Sequence, residues 1–131
     1  MQVVKPIDIA DALRVDLSSI IDGARFMCTP IPPDLAAGDV VIESLGGTSA
    51  SAASDVYDVT VGVYAATEAQ AVDMANEING VVASLPLRDT STQYSSAATR
   101  KPYADHDPRA PQLARQSFRA SIICPGIRIE I

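Results

Sequence analysis

The chain predicts an α+β fold, a mainly antiparallel sheet flanked by two amphipathic helices, and three observations carry that expectation. From Val56 to Ala65 the residues alternate strictly, with Tyr57, Val59, Val61 and Val63 on one parity and Asp58, Thr60, Gly62 and Tyr64 on the other. That is the period of a strand with one face in the core and one at least partly wet. Two further segments repeat at helical spacing: Ile9, Ala10, Leu13, Leu17, Ile20 and Ile21, then Ala71, Met74, Ala75, Ile78, Val82 and Leu85. Finally, the strand-like stretch Asp39 to Leu45 is joined to the alternating segment by a small polar linker with no room for a crossover helix, so the two should pair antiparallel.

Each element has its own punctuation. The first helix spans Ile7 to Ile21, with Asp8, Asp11 and Asp16 falling mostly between its apolar positions and Gly23 as its stop. Arg25 to Thr29 reads as a short strand ended by Pro30-Ile31-Pro32-Pro33, which cannot join a ladder. Gly46-Gly47 reads as a turn, followed by a flexible run of Thr, Ser and Ala up to Asp55. The second helix opens at Thr67, with Gln70 in capping-box position, and ends before Pro86. Gly80 inside it costs about 1 kcal/mol relative to Ala, which points to close packing or a slight kink. Residues 88–112 form a long polar loop containing Pro102, Pro108 and Pro111, within which Thr90 to Thr99 has the composition of an edge strand. Leu113 to Cys124 returns to strand, and Ile127, Ile129 and Ile131 alternate as a short final one after Pro125-Gly126.

At 131 residues the chain is a single domain, 1–131. Aromatics make up only 5% of it and Trp is absent, so the core rests on Val, Ile, Leu and Ala, and burial against a partner would help it. No run approaches the roughly 20 apolar residues that span a bilayer, and Met1 to Pro6 lacks the apolar stretch of a secretory signal. The expectation is a soluble chain with no membrane partner.

Net charge of −6 argues against a general polyanion binder and against specific nucleic acid as a partner. The charge is also asymmetric: residues 1–87 hold three basic and twelve acidic side chains, whereas residues 88–131 hold seven basic and four acidic. Opposite signs on different parts of a subunit either guide stacking with complementary neighbours or solvate separate surfaces.

Chemistry finds little to use. His106 is the only histidine, and Asp105 and Asp107 beside it point different ways along the chain, so neither a metal site nor a general base is assembled. Cys28 and Cys124 match no metal spacing and read as reduced thiols, adjacent only if their flanking segments are paired strands. Gly46-Gly47 lacks the Gly-Lys-Ser or Gly-Lys-Thr of a phosphate loop, and no serine lies in a Gly-x-Ser-x-Gly elbow. The expectation is a non-enzyme without metal or cofactor. The cations Arg100, Lys101, Arg109 and Arg115, which bracket the proline-containing loop, are the candidate protein-interface residues, because a guanidinium suits bidentate carboxylate contacts. Their removal is expected to spare the fold.

The series Asp39-Val-Val-Ile-Glu-Ser-Leu-Gly-Gly47, Tyr57 through Thr67, Ala71 through Leu85, and Asp107-Pro108 ahead of Arg115-Gln-Ser-Phe-Arg119 resembles the tail terminator or tail-completion proteins of long-tailed phages and prophages. The similarity is one of element order and hydrophobic pattern, over roughly residues 5–124. It implies a hexameric ring that caps the tail tube, stops its polymerisation and offers a surface to the head-side connector. Partners would be the chain itself, the tube protein and the connector, and the location the virion tail near the neck after synthesis in the host cytoplasm. A head–tail connector or neck subunit, and a small α+β ligand-binding regulatory domain, are the alternatives.

Overall fold

Strand β4 (Ser54–Ala65) lies at the centre of the molecule, and the computed structural model, which describes residues 1–131, builds a six-stranded sheet around it. On one side β4 pairs antiparallel with β3 (Asp39–Ser49), which pairs parallel with the short β2 (Arg25–Cys28). On the other it pairs antiparallel along its whole length with β7 (Ala114–Pro125). The far edge of β7 is shared by β5 (Ser96–Thr99) and the two-residue β6 (Tyr103–Ala104), both antiparallel to it. A separate two-stranded sheet joins β1 (Gln2–Lys5) to β8 (Ile127–Glu130), bringing the two chain ends together.

Both helices lie on one face of the large sheet. In α1 (Ile9–Ile20) the Asp8 carboxylate accepts from Asp11 N–H at 3.2 Å, capping the first turn. Ile9, Leu13 and Leu17 are buried against the sheet. In α2 (Glu68–Ser84) the Thr67 hydroxyl accepts from Gln70 N–H at 3.2 Å, and Ala75, Ile78 and Val82 are buried. The sheet answers with Val40, Ile42, Val59, Val61, Val63, Phe118, Ala120 and Ile122, one parity of each long strand. This aliphatic core is the expected one, and the single small α+β domain is as the hydrophobic periods require.

Several local expectations are corrected. Gly46-Gly47 is not a turn but a bulge inside β3, where the register to β4 shifts between Ser44 and Gly47. Gly46 has φ +88°, and a Cβ on Gly47 would sit 1.8 Å from the Val56 carbonyl oxygen, so only glycine permits the crossing. The strand then continues to Ser49, and the polar linker shrinks to residues 50–53. Gly80 lies on the exposed side of α2 with nothing near its missing Cβ, so close packing does not explain it. Residues 88–112 are not one loop, since they contain β5, confined to 96–99, and β6. Asp16, read as part of a wet helix face, is buried: it accepts from Tyr94 Oη at 2.6 Å, Ser91 N–H at 2.9 Å and Thr92 N–H at 3.3 Å, tying the segment before β5 to α1. Burial and this carboxylate together raise the Tyr94 hydroxyl far above its usual range. Cys28 and Cys124 are both free and lie on β2 and β7, which β3 and β4 separate.

Candidate functional site

The sheet face away from the helices is divided into two halves by the path of residues 104–113. At the Ala65 end of β4 this segment folds back over the sheet, and Ala110 packs with Val41 and Tyr64 in a second small core that Ile31, Leu35 and Leu113 extend. At the opposite end no segment covers the sheet.

Register decides what the covered half contains. Tyr64 lies opposite Arg115 and Gly62 opposite Ser117 in the β4–β7 pair. The Arg115 guanidinium lies in the space that a side chain at Gly62 would fill, since a Cβ there would be 2.8 Å from its Nε and Nη2. It stands 5.4 Å from the centroid of the Tyr64 ring, within cation–π range, and donates to Asp105 at 2.9 Å. Ser117 Oγ donates to the same Asp105 oxygen at 2.9 Å. The Arg115 Nε is the one buried side-chain polar atom without a partner. Next to it, Tyr64 Oη donates to Asp107 at 2.6 Å, and Asp107 also accepts from the Arg109 backbone N–H at 2.9 Å and side chain at 3.1 Å. The Arg109 guanidinium, acting first and with help from the Tyr64 hydroxyl, holds the buried Asp107 carboxyl well below the usual carboxylate range. Burial, followed by the bond to Asp107, pushes the Tyr64 hydroxyl up to about 12.

The uncovered half is an open groove of about 900 Å³. Arg100, Lys101 and Arg119 line it and make no ion pair. Leu45 and Tyr103, each about half exposed at 48% and 47%, give it an apolar rim. The one carboxylate in its lining, Asp58, accepts from Ser121 Oγ at 2.8 Å. Asn79 of α2 fixes the turn that carries the first two cations: its Nδ2 donates to the Arg100 carbonyl at 2.7 Å and its Oδ1 accepts from Thr99 Oγ1 at 3.1 Å.

The four cations grouped by sequence are therefore split. Arg100 and Lys101 are exposed in the groove, while Arg109 and Arg115 are committed to Asp107 and Asp105 inside the chain. Arg115 belongs to β7 rather than to the loop, and its side chain is only 12% exposed, so the expectation that its removal spares the fold is corrected. Sequence reasoning missed Arg119, Tyr103 and Asn79. The legible signal for Arg119 was its parity on β7, opposite to Phe118, Ala120 and Ile122, whereas no local pattern points to Asn79. His106 is exposed on the loop and Cys124 is buried, its thiol pushed up to about 11 by that burial and then by Asp55. Comparison of the sequence with protein-family models and with curated proteins gives no match.

Proposed function

We propose that the chain is a structural assembly subunit, the tail terminator of a long-tailed phage or prophage, acting by stoichiometric contact rather than catalysis. The observation that carries this reading is the uncovered half of the sheet face: three unpaired cations and two half-exposed apolar side chains form an extended surface on a chain of net charge −6. Such a surface, with charged groups around apolar ones, has the makings of a protein interface. The order of elements that resembles tail terminators supplies the partners: the chain itself in a ring of six, the tube protein and the head-side connector, in the virion tail near the neck. The reading needs no metal and no cofactor.

Purified protein added to polymerising tail-tube protein is expected to sit as a ring on tube ends and to arrest their growth, seen by electron microscopy as short tubes of narrow length distribution. Tubes that grow unchanged, with bare ends, would overturn the reading. Binding to the head-side connector with no effect on the tube would move the chain to the neck.

A further inference from the structure

The cationic groove lies on one side of the large sheet, and α2 lies on the other. The exposed side of α2 carries Asp73 and Glu77, neither of which makes an ion pair, and next to Asp73 is Val72, 41% exposed. The groove offers Arg100, Lys101 and Arg119 beside Leu45 and Tyr103. The groove thus has three unpaired cations and one carboxylate, Asp58, beside two apolar side chains, and the helix has two unpaired carboxylates beside one; the net signs are opposite, and the sheet stands between them.

We infer that the groove receives the exposed side of α2 from a second copy of this chain. Complementary potentials guide the encounter and set its register, and a helix with an apolar residue beside its charges is a suitable shape for an open groove. Because the two surfaces are different and lie on opposite sides of one subunit, they cannot satisfy each other in a two-fold dimer. The contact is heterologous and repeats from copy to copy, closing into a ring when the rotation per subunit closes and otherwise running on as a filament. This inference rests on the ring in the proposed function but not on the tail tube. It also explains why the groove is left open: the cover comes from the next subunit.

A pair of charge reversals tests it. Lys101→Glu with Arg119→Glu makes the groove acidic, and Asp73→Lys with Glu77→Lys makes the helix face basic. Each doubly reversed protein should melt like the parent, and by sedimentation velocity each alone should self-associate at least tenfold more weakly. Mixed one to one at low salt, the two should assemble again in alternation, since acidic helix then meets basic groove and basic helix meets acidic groove. Self-association of the parent should also weaken as salt is raised from about 0.05 to 0.5 M. Should a reversal unfold the chain, Arg119→Gln and Glu77→Gln replace it and are expected to weaken assembly in the same direction. The inference is overturned if the parent remains a monomer at every concentration, if either reversed protein assembles like the parent, or if the mixture fails to assemble. Recovery in the mixture without capping of tubes would retain this contact and remove the tail assignment. Parent rings on tube ends that are indifferent to both reversals would do the opposite.

Discussion

The two halves of one sheet face use arginine in opposite ways. At the covered end, Arg115 and Arg109 meet Asp105 and Asp107, carboxylates brought over the sheet by the segment that leaves β6, and the charges are spent on holding that segment down. At the open end, Arg119 stands four residues along β7 from Arg115 with no carboxylate paired to it. Arg115 and Arg119 are of one type and on one strand. What differs is whether the chain returns with an acid, so residue type alone separates neither structural from interacting arginines nor paired from free ones.

Substitutions at the covered end should show the largest effects. Arg115→Ala removes a guanidinium that is paired, stacked on Tyr64 and largely buried, and leaves Asp105 and Ser117 without it. Breaking a buried pair costs about 3 kcal/mol or more, and the partial exposure of Asp105, 35% for its side chain, places this case at about 3. Urea denaturation measures it. A loss under about 0.5 kcal/mol, the range of ordinary surface changes, would erase the distinction between the two halves.

Tyr64→Phe is milder and more specific. It deletes one hydrogen bond to a buried carboxylate, worth about 2 kcal/mol for a charged acceptor, and leaves the ring under Arg115 in place. The bond also carries a signature in pH. Asp107 is depressed in the folded chain, so its contribution is complete above about pH 4, where the unfolded carboxyl is also ionised, and is lost as pH falls below that value. Tyr64 is raised to about 12, so its contribution is complete below about pH 10 and is lost as pH rises through about 12. Melting temperature against pH should therefore fall at both extremes in the parent. In Tyr64→Phe the alkaline fall should be smaller, with Tyr94 still contributing to what remains, and the acid fall shallower. Parallel curves for the two proteins would show that Tyr64 and Asp107 are not coupled.

How much of this was legible in the sequence follows from the range of each cause. Periods of 2 and 3.6 act within a few residues, and with them the helices, the central strand, its antiparallel partner and β7 could be read. Asp16, by contrast, is buried by Ser91, Thr92 and Tyr94, more than seventy positions away, and nothing local distinguishes it from Asp11, which stays on the surface. Arg115 is similar, since its burial depends on Gly62 and Asp105 meeting over β7. A glycine amid Val61, Val63 and Tyr64 marks a gap in the strand face, but not what fills it. The open groove was half visible: Arg100 and Lys101 stood out as loop cations, while Arg119 took its place only when β5 and β6 were laid along β7.

The smallest effects on stability belong to the open end, and their smallness is the informative part. Arg100→Ala, Lys101→Ala and Arg119→Ala remove side chains that are exposed and unpaired, so each should change the unfolding free energy by no more than about 0.5 kcal/mol. An arginine that anchors an interface, in contrast, costs about 2 kcal/mol or more of binding when truncated, roughly a thirtyfold loss of affinity at 1.4 kcal/mol per decade. The groove should therefore yield at least one variant that melts like the parent and assembles poorly, whereas Arg115→Ala should fail in both assays, assembly following stability. Arg119 is the sharpest choice, because it shares β7 with Arg115 yet is exposed and makes no ion pair within its own chain. If Arg119→Ala both folds and assembles like the parent, the absence of an internal partner at the open end has no consequence, and the groove is merely a solvated face.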